Sequence, residues 1–201
     1  SRGEEDYRST TRDTRRLVDE LMEEKVDGII IDLRDNGGGS LSEAVSLTGL
    51  FIKDGPVVQI RDNDGKTQSN KDTDPGIVYT GPLAVLVNRF SASASEIFAG
   101  AMQDYGRGTI VGEPTYGKGT VQSVIDLNRY TRGRDVELGR LKLTVAQFFR
   151  VNGESTQHRG IIPDIVFPTA EDNSNHGERA LENALAWASI KAADYEPFNR
   201  P

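Results

Sequence analysis

The sequence predicts an α/β fold in which helices flank a mainly parallel central sheet. Short apolar runs recur along the chain, as expected of strands that are buried on both faces. Segments with helical spacing of apolar residues separate these runs, and this alternation is typical of parallel sheets joined by helical crossovers. The 201 residues show no internal repeat and no convincing domain boundary, so a single domain is expected.

The first half of the chain contains two helix–strand pairs. Helical spacing predicts a helix over residues 10–25 and another over residues 41–51. Continuous apolar stretches predict strands at residues 28–33 and 56–60. Residues 62–65 read Asp-Asn-Asp-Gly, which is a turn signal and lacks the ligand pattern of a calcium loop. A polar stretch follows and ends near Pro75, and no strand or helix is predicted within it.

The second half repeats the alternation. A strand at residues 83–87 precedes a helix at residues 94–105, for which Gly106 is a suitable C-cap. An alanine-rich amphipathic helix with Trp187 on its apolar side is expected over residues 178–193. Further strands are predicted at residues 109–111, at 120–124 and at 141–145 with Phe148 and Phe149.

The composition is that of an ordinary globular domain and argues against several functions. Hydrophobic residues make up 36% and charged residues 27% of the chain. The formal net charge of −7 disfavours nucleic-acid partners and anionic membrane surfaces, both of which require basic residues. Because the sequence has no cysteine, disulfides, thiol catalysis and cysteine-based zinc sites are excluded. The polar start has no signal-peptide core, so we expect the chain to be a fragment of a longer protein.

Three consecutive glycines mark the first candidate site. They follow the strand at residues 28–33, within the stretch Asn36-Gly-Gly-Gly39. Such a run can expose backbone amides to a ligand. A phosphate cradle is disfavoured because the endings of nucleotide P-loops and the spacing of dinucleotide-binding loops are absent. An oxyanion hole and a simple tight turn both remain open.

Three serines mark the second candidate site. They lie in Phe90-Ser-Ala-Ser-Ala-Ser-Glu96, where a strand is predicted to turn into a helix. A nucleophilic serine here would lie near the positive end of the helix dipole, with the next amide free to bind an oxyanion. Ser93 and Glu96 also fit a capping box, and local sequence alone favours this capping role.

A nucleophilic serine needs a base, and Lys118 is a better candidate than either histidine. His158 and His176 lie in polar, loop-like stretches and belong to no triad motif. Lys118 lies between Gly117 and Gly119, which permit close approach to another backbone. An ammonium that loses solvent in this way has a lowered pKa and can act as a neutral base. The alternative is an exposed loop lysine.

Together these segments resemble one family, the tail-specific proteases or carboxyl-terminal processing peptidases. The resemblance covers nearly all of residues 25–168, and the matching blocks occur in the family's order. The residue pattern at 160–165 is similar as well. Details such as Val151-Asn-Gly153 are most like the bacterial periplasmic branch. The matching blocks are Ile31-Asp-Leu-Arg-Asp-Asn-Gly-Gly-Gly39, Phe90-Ser-Ala-Ser-Ala-Ser-Glu96 and Val111-Gly-Glu-Pro-Thr-Tyr-Gly-Lys-Gly-Thr-Val-Gln122.

The resemblance implies a ClpP/crotonase-like catalytic core and a specific set of site residues. It assigns Ser93 as nucleophile, Lys118 as general base and Gln122 as the residue that orients the amine. It also implies that the amides of Gly39 and Ala94 form the oxyanion hole. Asp104 matches an acidic position that is sometimes grouped with the dyad. Eleven helical residues place it roughly 16 Å from Ser93, which favours a supporting structural role.

The resemblance further implies a serine endopeptidase that acts on proteins with apolar C-terminal tails, without metal or cofactor. It implies a location in the periplasm, with association with the inner membrane as a further expectation. Family members carry a PDZ domain that is expected to gate the site in the parent protein, and an apolar strand before the first helix; this sequence has neither. A non-catalytic ligand- or peptide-binding module on the same fold is one alternative. A crotonase-like acyl-CoA enzyme is another, although it leaves Lys118 unexplained.

Overall fold

The computed structural model describes residues 8–130, 137–168 and 176–198, so most of the polar loop at 171–177 lies outside the described residues. In chain order the helices and strands are α1 (Thr10–Glu23), β1 (Ile29–Asp32), α2 (Leu41–Gly49), β2 (Gly55–Asp62), β3 (Thr67–Asp72), β4 (Leu83–Val87), α3 (Ala94–Asp104), β5 (Thr109–Gly112), β6 (Thr120–Asp126), β7 (Arg140–Phe149) and β8 (Ile165–Val166). Short 3₁₀ turns occupy Leu127–Tyr130 and Glu178–Ala180.

The predicted parallel sheet is present and has the order β1-β4-β5-β8. Ile29 pairs with Leu83, and Val85 pairs with Ile110, with all neighbouring strands parallel. Val85 and Ile110 are completely buried, as the apolar runs predicted. The α/β fold class is therefore confirmed.

A second, antiparallel sheet has the order β3-β2-β7-β6 and was not expected as a separate layer. No strand was predicted at its edge strand β3, where the residues are polar. The strand forms because its backbone pairs with β2 around the Asp62–Gly65 turn, where the carboxylate of Asp62 accepts the amides of Asp64 and Lys66. An exposed edge strand needs no apolar pattern.

Helix α3 packs against both sheets, and this packing fixes the position of its N-terminus. It contacts β5 of the parallel sheet and β2 of the antiparallel sheet. Phe98 packs edge to face on Phe51, with ring centroids 5.9 Å apart, and Met102 is fully buried beside them. Burying side chains of this size contributes about 1.5–3 kcal/mol each, so the start of α3 is held rigidly.

The prediction of an α-helix over residues 178–193 was wrong. After the 3₁₀ turn the chain runs extended along residues 151–157. The amide of Ser155 donates to the carbonyl of Ala188 (3.1 Å), and that of Ile190 donates to Gly153 (2.8 Å). The indole of Trp187 donates to the Ser155 carbonyl (3.0 Å). These tertiary hydrogen bonds override the helix propensity of the alanines.

Helix α1 also packs less completely than its pattern suggested. Val18 is buried, whereas Leu17, Leu21 and Met22 remain exposed. Within the described ranges, no helix combines the length and the apolar composition needed to cross a bilayer.

Candidate active site

Ser93 occupies a strained turn between β4 and α3. Its backbone angles are φ 59° and ψ −113°, a region that non-glycine residues rarely adopt. The turn is held because the carbonyl of Ser93 accepts the amide of Ile97 (3.0 Å) and the amide of Ser95 donates to Ala92 (3.2 Å). A sharp strand-to-helix turn of this kind presents a serine oxygen at the head of a helix.

The two neighbouring serines have different roles. The hydroxyl of Ser91 donates to the carbonyl of Leu33 (2.7 Å), and that of Ser95 donates to the carbonyl of Asn36 (3.0 Å). Both bonds fasten the serine turn to the loop that carries the three glycines. Ser91 and Ser95 are therefore occupied in holding two loops together.

The glycine loop lies directly on the serine turn. Gly38 has φ +92°, and an added Cβ would lie 2.5 Å from the carbonyl oxygen of Ala92. Its amide donates to the side chain of Asn36 (3.0 Å). By contrast, the amides of Gly39 and Ala94 have no hydrogen-bond partner within the described part of the chain. Two free N–H groups beside a serine at a helix N-terminus are suited to stabilise an oxyanion.

Lys118 lies in a second glycine loop that is packed against residues 155–158. A Cβ on Gly117, which has φ +87°, would lie 2.9 Å from the backbone of His158, and one on Gly119 would lie 2.6 Å from Ser155 Oγ. The amide of Gly119 donates to Oε1 of the buried Gln157 (2.8 Å). The close approach that the flanking glycines suggested is therefore observed.

The amine of Lys118 is half-buried. Loss of solvent lowers its pKa; nearby Lys142 lowers it further, whereas Glu178 and Glu96 act in the opposite direction. Nζ donates to the carbonyl of Thr120 (3.0 Å), and no hydrogen bond to Ser93 Oγ is found among the described residues. Hydrogen bonds between a base and its nucleophile are often longer in the absence of substrate.

Ser93 and Lys118 nevertheless open into the same cavity, which has a volume of about 290 Å³. Gln122 lies on its wall, at a β-bulge in β6, but it is exposed and makes no hydrogen bond to Lys118 within the described part of the chain. The cavity thus brings together five sequence-predicted site residues, namely Ser93, Lys118, Gln122, Gly39 and Ala94.

Asp104 lies apart from this cavity, at the opposite end of α3. Its carboxylate accepts Nη2 of Arg150 (2.5 Å), Nε of Arg150 (3.1 Å) and the side-chain amide of Asn152 (3.1 Å). Burial raises the pKa of Asp104, and Arg150 counteracts that shift. The carboxylate thus joins the end of α3 to the residues that follow β7.

The histidines do not approach the serine. His158 is half-buried, and its amide donates to the carbonyl of Gly117 (2.8 Å), whereas His176 is exposed. Neither side chain lines the cavity that contains Ser93.

Glu96 was predicted only as part of a helix cap, and its side chain makes further contacts that the sequence did not indicate. Its side chain is completely buried and accepts four hydrogen bonds. Burial raises the pKa of Glu96 to about 7, and the donors act against that shift. The capping-box pattern was the one sequence signal for this residue, and it predicts one of the four bonds. The donors are Ser93 N (2.7 Å), Thr115 Oγ1 (2.6 Å), Gly117 N (2.7 Å) and Lys118 N (3.0 Å).

Comparison with known proteins identifies the family. The chain is 50% identical over 189 residues to the tail-specific protease of Haemophilus influenzae, and covers 27% of that protein. It is 35% identical over 199 residues to the carboxy-terminal processing protease CtpA of Bacillus subtilis, and covers 41% of it. The alignments include 94% of this chain in both cases, so the chain spans well under half of these relatives.

A solved structure and a protein-family model indicate the same family as these relatives. The photosystem II D1 C-terminal processing protease superposes with a TM-score of 0.69 at 34% identity, over 79% of this chain and 39% of that one. The model of peptidase family S41 matches residues 4–167. This chain therefore belongs to peptidase family S41.

Proposed function

We propose that the chain is the catalytic core of a serine endopeptidase in which Ser93 is the nucleophile and Lys118 the general base. The observation that carries the proposal is the meeting of three features in one cavity. These are a serine on a strained turn at a helix N-terminus, a half-buried lysine with a lowered pKa, and two amides beside the serine for which residues 8–130, 137–168 and 176–198 provide no hydrogen-bond partner. The names of the relatives support a protease over the non-catalytic binding module.

Acylation begins when the neutral amine of Lys118 takes the proton of Ser93 Oγ as that oxygen attacks the peptide carbonyl. The amides of Gly39 and Ala94 donate to the oxyanion of the tetrahedral intermediate. The ammonium of Lys118 then gives its proton to the departing amine, which leaves an ester on Ser93. Lys118 is neutral again at this stage.

Deacylation reverses the proton transfer. Water gives a proton to Lys118 as it attacks the ester carbonyl, and the same two amides bind the second oxyanion. Collapse of this intermediate returns the proton from Lys118 to Ser93 Oγ. Gln122, on the wall of the same cavity, is proposed to orient the amine between these steps, a role that aspartate has for histidine in other serine peptidases.

A smaller cavity supports a preference for apolar residues near the scissile bond. It has a volume of about 100 Å³ and adjoins the larger cavity at Gly39 and Ala94. An aliphatic substrate side chain next to the reacting carbonyl would fill it. Its apolar lining includes Leu33, Ala44, Leu47 and Phe98.

The remaining functional assignments follow from the relatives. We propose protein substrates with apolar C-terminal tails, a PDZ domain elsewhere in the parent protein that controls access to the site, and a periplasmic location. No metal or cofactor takes part in the proposed steps.

The direct test uses the full-length parent protein and an unstructured reporter protein with an apolar C-terminal tail. We expect Ser93→Ala and Lys118→Ala to abolish cleavage, while His158→Gln and His176→Gln retain it. Fragments are measured by mass spectrometry. Cleavage by the Lys118→Ala variant at the wild-type rate would overturn the mechanism.

A further inference from the structure

Glu96 lies between the two loops that carry the proposed nucleophile and base. One carboxylate oxygen, Oε2, accepts both the amide of Ser93 (2.7 Å) and the amide of Lys118 (3.0 Å). The two residues are 25 positions apart in the sequence, and this single oxygen joins their backbones directly. The other oxygen, Oε1, accepts Gly117 N and the hydroxyl of Thr115.

A helix cap alone does not explain this arrangement. A capping glutamate needs one bond, to the amide of the cap residue, and Ser93 provides it. The other three bonds go to the loop of residues 115–118, and the glutamate is completely buried. A buried carboxylate is costly unless its oxygens are fully hydrogen-bonded, so these contacts are necessary for it to be tolerated.

We propose that Glu96 is a positioning residue of the peptidase, whose ionised carboxylate sets the distance and orientation of the Ser93 turn relative to the Lys118 loop. This inference rests on the proposed function of Ser93 and Lys118. Glu96 acts through the two backbones and does not touch the substrate. Its protonation places a hydrogen on an oxygen that already receives two donors, and this loosens the connection.

The charges around Glu96 determine how its protonation would affect the pH dependence of the peptidase. Burial raises its pKa to about 7, within the range in which enzymes are assayed. Glu96 also raises the pKa of Lys118 and that of Tyr116, the two titratable side chains of the same loop with which it interacts. Ionisation of Glu96 and loss of the proton from Lys118 are therefore coupled steps.

The test compares Glu96→Gln with wild type in the full-length protein. Glutamine replaces one carboxylate oxygen, which accepts two hydrogen bonds, with an NH₂ group. This group cannot accept those bonds and would face their donors. A misplacement of about 1 Å in an active site costs roughly 100-fold in rate, so we expect a fall of that order in kcat with KM nearly unchanged. In wild type, ionisation of Glu96 should produce a rise in kcat/KM around pH 7. In Glu96→Gln this rise should be absent, and the step due to Lys118 should move to lower pH, because Glu96 raises the pKa of Lys118. A merely structural role would leave both steps in place.

Two sets of controls accompany this variant. Thr115→Ser keeps the hydroxyl that donates to Glu96 and accepts the amide of Ile161, and should resemble wild type. Thr115→Val should lose about tenfold in kcat, because it removes the charge-assisted bond to Glu96 together with the bond from Ile161. Glu113 lies in the same segment, but its carboxylate pairs with Arg89 and not with the loop of Lys118. Glu113→Gln should therefore leave the pH profile unchanged. If Glu96→Gln does not fold, the Thr115 pair still tests the proposal, and equal kcat values for the two variants would overturn it.

A measurement without catalysis separates this proposal from the proposed function. In the NMR spectrum of wild type, the amide signals of Ser93, Gly117 and Lys118 should titrate together with one midpoint near pH 7. They should not do so in Glu96→Gln. Independent titration of the three amides would overturn the role of Glu96 even if cleavage is observed, and a shared titration would support it even if no substrate is cleaved.

Discussion

An ideal Cβ placed on Gly38 would lie 2.7 Å from the backbone nitrogen of Ala94. The glycine loop and the serine turn are therefore in contact at the point where two amides are proposed to bind the oxyanion. A side chain at residue 38 would separate the loops.

Gly38→Ala is expected to lower both stability and activity. The φ of +92° and the contacts with Ala92 and Ala94 cannot accommodate a methyl group without movement of the backbone. Strain of this kind costs of the order of 1–3 kcal/mol, measurable by urea denaturation. Gly37→Ala is the matched control, because a Cβ there meets nothing within 4 Å. Equal stability of the two variants would contradict the contact.

The peptidase activity should rise with pH. In the proposed mechanism the neutral amine of Lys118 is the reactive form, and desolvation lowers the pKa of Lys118 from its ordinary value of 10.5. A lowered pKa increases the neutral fraction at any pH below that ordinary value, and this fraction grows as pH approaches the folded-state pKa. Rates should be measured over about pH 6–10.

Lys118→Arg provides the control for this profile. It keeps the positive charge but cannot release its proton, so it should be inactive throughout the range. A pH-independent rate in wild type, or an active arginine variant, would exclude lysine as the base.

Asp104→Asn should destabilise the fold strongly. Removal of one partner of a buried ion pair costs about 3–5 kcal/mol, and the side chain of Asp104 is 4% exposed and pairs with Arg150. The Tm should fall by several degrees, and activity should fall with the folded fraction. The control is Glu20→Gln, whose exposed pair with Arg16 contributes about 0.2–0.5 kcal/mol. An equal effect of both changes would show that Asp104 is not a structural anchor.

Ser93→Gly should be inactive yet more stable than Ser93→Ala. Glycine adopts a φ of 59° without the penalty that a Cβ brings, and relief of this strain is worth about 1 kcal/mol. Calorimetry of both inactive variants measures the difference without interference from self-cleavage. A lower Tm for the glycine variant would indicate that the turn is not strained.

The sequence predicted the elements that apolar side chains determine. The strands at residues 28–33 and 83–87 were found because they are continuous apolar runs, and α3 because its apolar residues repeat at helical spacing. The expected burial of both faces was wrong for the first strand, in which Ile29 is 7% exposed but Ile30 is 66% exposed. Polar β3 was missed because its pairing with β2 depends on the backbone. The helix predicted over residues 178–193 is absent because hydrogen bonds to residues 151–157, which are distant in sequence, determine the conformation of that segment.

For the site, local sequence indicated the two loops but could not choose among three serines. The choice of Ser93 came from resemblance, and the structure adds a physical distinction, since Ser91 and Ser95 donate to neighbouring carbonyls while Ser93 has the strained backbone. The burial of Glu96 could not be predicted, because its three additional donors come from residues 115–118, which only the folded chain brings close.

Gln157 links the C-terminal segment to the loop of the proposed base. Its side-chain oxygen holds the amide of Gly119, while its side-chain nitrogen donates to the carbonyl of Leu185 (2.9 Å). A version of the protein shortened to residue 167, where the family match ends, would lack Leu185 and therefore the hydrogen bond from the side-chain nitrogen of Gln157. The side chain of Gln157 would then keep its bond to the amide next to Lys118 but lose its second anchor, so the segment around Leu185 helps to hold the loop of the proposed base in place.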